Sequence, residues 1–410
     1  MTIDKKKYSL FLERFSQEID IPPNKYKQAV DRYEELGRWL EIAPYPGTVA
    51  LPSIYPQGSF RLGTVVRPIR KGIEADYDID LVCELQILKH QTQPREVKTL
   101  IGERIKEHKR YGELLDIEGK RCWTLVYSEE DEIGFHIDVL PAIPEHLYDP
   151  GTSIAITNKQ SMSYEWSSSD PKGYGKWFDS KNQVAFDQVS VLQKQYIQSR
   201  EPTIYASIDR VPDELVRTPL QRSIQIIKRH RDMHFSDGLN EKFAPISIVI
   251  STLAALLYEN ESDIANALTK IVSRLHAHSE LVENRPTVWA HLSSDLITRT
   301  PDGRWYIGNP VNADENFADR WHEDGHARAR AFFSWVESLK RDLIDVVSTV
   351  PLATVHNRLK SVLGTAAVTP HLALIVPELV DSSSVPEVSI SSPTKPWGEL
   401  YPPRTLRSSN

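Results

Sequence analysis

The sequence predicts an α+β fold, with a small mixed sheet in its first half and a helical second half. Short runs rich in β-branched and aromatic residues, bounded by turn formers, indicate the strands. Apolar residues at helical spacing dominate after residue 200. A chain of 410 residues is long enough for two or three compact units. We therefore predict a sheet-containing core with an N-terminal helix over 1–200, a helical lobe over 201–376 and a flexible Pro/Ser-rich tail over 377–410.

Composition limits the classes of protein that the chain can represent. The net charge of −7 argues against a protein that coats nucleic acid, so we expect no stable nucleic-acid partner. Cys83 and Cys122 lie in apolar, strand-like runs, which favours reduced thiols over a disulfide. The amino terminus lacks an apolar signal segment, and no window approaches the ~20 apolar residues needed to span a bilayer. We expect a cytoplasmic protein without a membrane partner.

The elements of the first half follow from local patterns. Apolar residues near helical spacing predict a long amphipathic helix over NKYKQAVDRYEELGRWLEIA, with Asn24 as its capping residue. Strands are predicted at TVALPSIYPQGS and ADYDIDLVCEL, followed by a helix over 95–115. The runs RCWTLVYSEE and IGFHIDVLPAI come next, and we expect them to form an antiparallel pair.

The second half carries weaker signals. Residues 150–185 are rich in Ser, Gly and aromatics and predict a long ordered loop with short helices, and the chain after residue 200 is predicted to be all helical. HEDGH at 322–326 matches a zinc-protease pattern, but Gly325 interrupts the helix that such a site needs. His230 and His234 are flanked by arginines, which favours a solvated or phosphate-facing helix surface. Four tryptophans are assigned to packing: Trp289, Trp305, Trp321 and Trp335.

Three acidic residues at predicted strands form the main candidate site. Side chains alternate faces along a strand, so Asp78 and Asp80 point the same way. Adjacent carboxylates oppose each other's ionisation unless a cation neutralises them, and hard oxygen ligands select Mg²⁺ or Mn²⁺. If the strand that bears Asp138 lies beside the first, the three carboxylates can hold two metal ions about 4 Å apart.

A glycine-serine turn precedes these acids. Gly58 allows the backbone to approach a phosphate closely, and Ser59 offers a hydroxyl and amide groups at a helix start. We therefore assign Gln57, Gly58 and Ser59 to nucleotide binding. A Gly-Ser pair alone is common, but the order Gly-Ser, Asp-x-Asp and then a lone Asp on a later strand is the pattern of polymerase β-like nucleotidyltransferases.

Five segments extend this pattern to a particular family. QGSFRLGTVVRP, DYDIDLVCEL, GFHIDVLPAIP, DPKGYGKWF and NPVNADENFADRW together resemble the CD-NTases, the bacterial cyclic GMP-AMP synthase-like (SMODS) nucleotidyltransferases of CBASS anti-phage defence. The resemblance covers most of residues 20–345. It implies a two-lobed polymerase β-like fold and synthesis of a cyclic di- or trinucleotide from ATP, GTP or other NTPs. A downstream effector would bind the product.

The resemblance also implies roles for the acidic residues. Asp78 and Asp80 would bind both metal ions. Asp138 would bind one ion and take the proton of the attacking ribose hydroxyl. Each of these three residues is therefore a catalytic and a metal-binding candidate.

The nucleotide-binding roles rest on the same resemblance. Ser59 would hold the donor triphosphate, Lys228 in LQRSIQIIKRHRD would reach the phosphates, and Ser247 in APISIVIST would offer a hydroxyl. Relatives often place a base-stacking aromatic after that serine, whereas this chain has Ile248. The candidates for base stacking are then Tyr164, Trp166 and Tyr174.

Other functions stay open on the sequence alone. A template-independent enzyme that makes linear oligoadenylate or extends an RNA end would share every catalytic residue, although the negative net charge and the lack of a basic stripe speak against it. A protein-modifying nucleotidyltransferase and a non-catalytic scaffold are further alternatives. The resemblance also allows a ubiquitin-like conjugation partner that acts on the carboxyl terminus, although the chain ends in Asn410 and not in a small Gly or Ala.

Overall fold

The computed structural model describes residues 3–375 with interruptions. The positions inside this range that it does not describe are 71–72, 130–131, 149–150, 237–239, 284–288, 290–292, 295 and 350. The predicted tail over 377–410 lies outside the described residues.

A mixed sheet forms the centre of the first half. The strands are β1 Ser53–Gln57, β2 Ile69–Arg70, β3 Ile73–Glu74, β4 Tyr77–Glu84, β5 Trp123–Glu129, β6 Glu132–Pro144, β7 Ile154–Gln160, β8 Ser163–Ser169, β9 Thr298–Arg299, β10 Trp305–Tyr306, β11 Gly308–Asn309 and β12 Asn312–Asn316. Six of them form the central sheet in the order β1-β4-β6-β7-β8, with β5 beside β6. β4 and β6 are parallel, and β5 pairs antiparallel with β6, which confirms the predicted strand pair.

Helices surround the sheet and build the second half. They are α1 Lys5–Glu18, α2 Pro23–Glu41, α3 Gly58–Arg61, α4 Pro94–Glu107, α5 Lys109–Leu114, α6 Pro171–Arg200, α7 Pro219–His234, α8 Ser247–Leu257, α9 Ile264–His276, α10 Ala327–Leu339, α11 Val346–Thr349, α12 Leu352–Leu363 and α13 Thr365–Val368. A π-helical turn, Lys340–Asp345, joins α10 to α11.

Two large hydrophobic clusters divide the core. One packs the central sheet against α2 and α4, through side chains such as Leu36 and Ile101. The other packs α7 to α10, and α1 belongs to it because Phe11, Leu12 and Phe15 are fully buried there. The first helix of the chain therefore contributes to the core of the helical half and not to that of the sheet.

The predicted loop over 150–185 is wrong. This segment forms the β7–β8 hairpin and the first half of α6, a 30-residue helix. Asp170 caps that helix by accepting a hydrogen bond from the Gly173 amide at 2.8 Å, and Pro171 occupies its first position. The serines of β8 suit a strand poorly by propensity, but β8 pairs with β7 along its whole length, so the tertiary pairing decides its conformation.

Smaller predictions also need correction. The second half is not all helical, since β9 pairs with β10 and β11 with β12. Asn24 does not cap α2, which begins at Pro23 after Pro22. The helix predicted over 95–115 is interrupted at His108, whose ψ of 116° is extended. The predicted reduced cysteines are confirmed, because Cys83 and Cys122 are free thiols.

Candidate active site

The register of two parallel strands brings the acidic residues together. Asp80 on β4 lies opposite Asp138 on β6, and Asp78 lies opposite His136. Neighbouring strands are about 4.8 Å apart, and residues paired in this way share a face of the sheet. The three carboxylates, predicted from strand alternation, therefore line one surface.

That surface is the floor of a cavity of about 460 Å³ between the sheet and the helical half. Seven of the eight predicted site residues line it: Gly58, Ser59, Asp78, Asp80, Asp138, Lys228 and Ser247. Gln57 ends β1 opposite Asp80 but is not among the lining residues. The cavity thus joins residues from five separate parts of the chain.

Gly58 is required by two features of its position. Its φ of 62° lies in the left-handed region, which a residue with a side chain adopts at a cost. A Cβ atom there would also collide with Asp80 Oδ2. The Gly-Ser turn therefore packs directly against a carboxylate of β4.

Burial and mutual repulsion weaken the acidity of two carboxyls. Burial, followed by the charges of Asp138 and Asp78, raises the pKa of Asp80 to about 7, against a smaller opposing effect of Lys228. Burial also raises the pKa of Asp138, while a hydrogen bond from Thr124 opposes this rise. Negative charge is thus costly on this wall unless cations compensate it.

Lys228 on α7 faces the acids from the opposite wall. Burial, reinforced by the charge of Arg231, lowers its pKa to about 7. Its Nζ donates to Thr64 O at 3.0 Å and lies 3.1 Å from Thr64 Oγ1. The lysine is thereby bound to the segment that follows the Gly-Ser turn.

Other α7 side chains bind the same segment. Gln221 donates to Leu62 O at 2.9 Å, Gln225 to Val65 O at 2.6 Å and Arg229 to Arg67 O at 2.8 Å. With Lys228, these contacts fix α7 along residues 62–67. The helix and the Gly-Ser turn therefore form one continuous support for the cavity.

Ser247 is the first residue of α8 and is held by α7. Arg231 Nη1 donates to Ser247 Oγ at 3.0 Å and to Pro245 O at 3.2 Å. The same guanidinium pairs with Asp232, at 2.7 Å from Nη2 to Oδ1. The position of the serine hydroxyl thus depends on an arginine one turn after Lys228.

The predicted solvated surface around His230 is wrong. His230 is 1% exposed. Its Nδ1 accepts a hydrogen bond from Trp335 Nε1 at 3.0 Å, and its Nε2 lies 3.2 Å from Asp342 Oδ2. Arg229 is also buried, whereas His234 is exposed. The basic run of α7 therefore belongs mainly to the interior.

Sequence patterns missed several residues of the cavity. Thr124 of β5 and His136 of β6 line it beside the acids, and Ser251 of α8 lines it beside Ser247. His136 lies between two carboxylates, with Nδ1 3.4 Å from Asp78 Oδ1 and Nε2 3.5 Å from Asp76 Oδ2. The predicted β5–β6 pairing could have identified Thr124, had its register been known.

The base-stacking candidates do not lie in this cavity. Tyr174 is buried, with its hydroxyl 2.9 Å from Thr252 Oγ1, so it is not available for stacking. Tyr164 donates to Glu118 Oε1 at 2.8 Å, and Trp166 packs against the sheet cluster. None of these three lines the cavity, whereas Ile248 does.

The predictions for the four tryptophans and for the HEDGH segment agree with the structure. Trp289, Trp305, Trp321 and Trp335 are all buried, which confirms their assignment to the core. In the HEDGH segment, His326 has a φ of 65° and precedes α10, so the continuous helix of a zinc protease is missing there. His326 Nδ1 accepts a hydrogen bond from Trp305 Nε1 at 3.1 Å.

The chemistry of the acids fits divalent cations. The donors at Asp78, Asp80 and Asp138 are carboxylate oxygens, which Mg²⁺ and Mn²⁺ prefer. A bound cation would offset the burial and the mutual repulsion that raise the pKa values of Asp80 and Asp138. Within the described ranges, no group of three or more His, Cys, Asp or Glu side chains is already arranged to hold an ion. The two-ion prediction therefore stays a prediction.

Comparison with known proteins identifies the family. Residues 6–182 match the Second Messenger Oligonucleotide or Dinucleotide Synthetase domain family. The chain is 30% identical over 338 residues to c-di-GMP synthase of Roseivirga ehrenbergii, covering 82% of this chain and 78% of that protein. It is 24% identical to cyclic dinucleotide synthase CdnG of Bradyrhizobium diazoefficiens, over 74% of this chain and 68% of the relative.

The fold agrees with a solved structure. The CD-NTase CdnG of Bradyrhizobium diazoefficiens in complex with GTP superposes with a TM-score of 0.66 at 19% identity, over 89% of this chain and 98% of that chain. Among the described helices, none combines the length and apolarity that crossing a membrane requires. With an acid-lined cavity on a mixed sheet and relatives of this kind, the chain belongs to the CD-NTase family and is a nucleotidyltransferase of the cyclic-oligonucleotide-synthesising type.

Proposed function

We propose that this enzyme joins two molecules of GTP into a cyclic dinucleotide, using divalent cations held by Asp78, Asp80 and Asp138. The observation that carries the proposal is the convergence of these carboxylates with Gly58, Ser59 and Lys228 on one cavity. The choice of guanine rests on the relatives named c-di-GMP synthase and CdnG, the second of which has been solved with GTP.

The two walls of the cavity, the helical wall of α7 and α8 and the sheet wall of β4 and β6, would bind different parts of the substrate. On the helical wall, the Lys228 ammonium and the Ser247 hydroxyl would bind the triphosphate, and the Gly-Ser turn would bring backbone and hydroxyl donors to it. On the sheet wall, cations bound by the carboxylates would neutralise charge that develops on the phosphates. Asp138 would accept the proton of the ribose hydroxyl, a role that suits its raised pKa.

The reaction takes place in two chemically similar steps. In the first, a ribose hydroxyl of one nucleotide attacks the α-phosphate of the other, and pyrophosphate leaves. The linear intermediate then turns round, its free hydroxyl attacks the remaining α-phosphate, and a second pyrophosphate leaves. The same acid face and the same lysine serve both steps, so one cavity suffices.

The product defines the test. The purified chain is incubated with Mg²⁺ and each NTP alone or in mixtures, treated with phosphatase and analysed by mass spectrometry. We expect a phosphatase-resistant product with the mass of a cyclic diguanylate from GTP alone. Products that lose terminal phosphates to the phosphatase would establish the linear alternative, and cyclic products only from mixtures would show that the guanine assignment is wrong.

The biological role follows from family membership and stays a proposal. The cyclic product would act as a second messenger in anti-phage signalling by binding a downstream effector. A ubiquitin-like conjugation partner also stays a prediction, because the carboxyl-terminal residues lie outside the described part of the chain. The signalling role can be tested by phage challenge of cells that carry either the wild-type protein or the Asp78→Asn, Asp80→Asn double variant. We expect only the wild-type protein to protect the cells.

A further inference from the structure

A threonine of the neighbouring strand contacts the third carboxylate. Thr124 on β5 lies directly opposite Asp138 on β6 in the antiparallel pair, and its Oγ1 donates a hydrogen bond to Asp138 Oδ1. Both side chains line the cavity. Because the two strands are fixed by their backbone ladder, the hydroxyl and the carboxylate are held together by the sheet itself.

The carboxylate needs such support. Asp138 lies opposite Asp80, and the charge of Asp78 also opposes its ionisation. Without a hydrogen bond, repulsion would favour rotation of the Asp138 side chain away from the other two acids. A hydrogen bond to an ionised acceptor is stronger than one between neutral groups, and it restricts the carboxylate to one orientation.

We propose that Thr124 is a positioning residue that orients Asp138 for the reaction. Its hydroxyl occupies one lone pair of Oδ1, and the Cys122 thiol donates a second hydrogen bond to the same carboxylate. The lone pairs that these two donors leave open are available to a cation or to the proton of the ribose hydroxyl. This inference rests on the proposed function for its catalytic consequence. Metal ligands are commonly oriented by outer hydrogen bonds of this kind, and loss of such a bond typically costs roughly 10–100-fold in metal affinity or activity.

Three variants separate the hydroxyl from the rest of the side chain. Thr124→Val keeps the branched shape that suits a strand and removes the donor, whereas Thr124→Ser keeps the donor and loses a methyl group. Thr157→Val is the matched control. Thr157 is fully buried in β7 of the same sheet, and its Oγ1 has no hydrogen-bond partner among the described residues. Thr124→Ala replaces Thr124→Val if the latter does not fold.

The first measurement does not depend on activity. Mn²⁺ is titrated into each variant in the presence of a non-hydrolysable GTP analogue, and free Mn²⁺ is followed by electron paramagnetic resonance. We expect Thr124→Val to weaken Mn²⁺ binding by roughly 10–100-fold, whereas Thr124→Ser and Thr157→Val stay close to the wild type. Equal Mn²⁺ affinity in Thr124→Val and Thr157→Val would overturn the proposal.

The second measurement uses steady-state kinetics with GTP and Mg²⁺. We expect Thr124→Val to lower kcat by roughly 10–100-fold with little change in KM, because Thr124 acts through Asp138 and not on the triphosphate. Recovery of kcat in Thr124→Ser supports this role, and an unchanged kcat in Thr124→Val overturns it. If the wild type itself forms no product, the proposed function fails, while the Mn²⁺ titration still decides the role of Thr124.

Discussion

The two walls of the cavity bear groups of opposite charge, acidic on the sheet wall and basic on the helical wall. On both walls, burial disfavours the charged form of these groups. On the sheet wall, burial and like charges raise the pKa of Asp80 to about 7. On the helical wall, burial and Arg231 lower the pKa of Lys228 to about 7. Each wall therefore disfavours its own charged form in the absence of a ligand.

The two walls differ in the kind of ligand that would stabilise their charged groups. Cations would offset the cost of negative charge on the carboxylates of β4 and β6. Phosphate oxygens would offset the cost of positive charge on Lys228 and accept hydrogen bonds from the hydroxyls near it. A nucleoside triphosphate with bound cations provides both at once. Under the proposed function, the reaction needs both walls, because neither wall alone complements such a ligand.

Removing charge from the sheet wall should have the largest effect. Replacing Asp78 and Asp80 by Asn removes carboxylates that we propose as ligands of the cations, so we expect no cyclic product, measured by mass spectrometry of reactions with GTP and Mg²⁺. Glu84→Gln is the matched control, since Glu84 is on the same strand but is held by Tyr55 and Lys172 outside the cavity. Product formation by the double Asn variant would refute the assignment of this wall.

Removing the charge of the helical wall should have a smaller effect. Lys228→Met removes the cation that we propose to face the triphosphate, and we expect kcat/KM for GTP to fall roughly 10²-fold. Lys98→Met is the control, because Lys98 is a second buried lysine that donates to a backbone carbonyl, at 2.9 Å from Lys120 O, and does not line the cavity. Equal kinetic losses in both variants would indicate a purely structural role for Lys228.

The contact between the Gly-Ser turn and the sheet wall can be tested with alanine. Gly58→Ala introduces a left-handed residue at a cost of about 1–2 kcal/mol, and its Cβ collides with Asp80. Gly47→Ala carries the same backbone cost at a φ of 79°, but no described atom lies within 4 Å of its Cβ. We expect denaturant unfolding to show a larger loss of stability in Gly58→Ala, which alone should lose activity. Similar behaviour of the two variants would disprove this contact.

The pH dependence of stability should have opposite signs for the two walls. Between its ordinary pKa of 3.8 and about 7, Asp80 keeps a proton only in the folded chain, so the free energy of unfolding falls as pH rises. Between about 7 and 10.5, Lys228 keeps a proton only in the unfolded chain, so the free energy of unfolding rises with pH.

Urea unfolding in EDTA measures these slopes. Asp80→Asn should flatten the fall at acidic pH, and Lys228→Met should flatten the rise at alkaline pH. Each variant should leave the other window nearly unchanged. Slopes identical to those of the wild type would show that burial does not shift these two groups.

The residues of the sheet wall could be predicted from the sequence more completely than the environment of the residues on the helical wall. The acids could be found because alternation along a strand is local, and Asp78, Asp80 and Asp138 are each followed by apolar residues that enter the core. The environment of α7 could not be found in this way. His230 is buried because Asp342 and Trp335, more than 100 positions later, provide its partners.

The same limit explains the other errors. Thr124 was missed because its role depends on the register of β5 against β6, which composition does not reveal. The serines of the 150–185 segment favour turns and therefore predict a loop, although the Asp170–Pro171 helix start is also present in the sequence. Local patterns thus predicted most of the residues that line the cavity, whereas long-range packing determined which other side chains surround them.

We expect carboxylates from two strands to bind divalent cations against a nucleotide's phosphates. Crystals grown with Mn²⁺ and a non-hydrolysable GTP analogue test it through the anomalous signal of manganese. We expect two manganese peaks bonded to Asp78 and Asp80, one of them also bonded to Asp138, with the triphosphate beside Lys228. Manganese bound elsewhere, or a triphosphate bound with Asp138 beyond bonding distance of any ion, would contradict it.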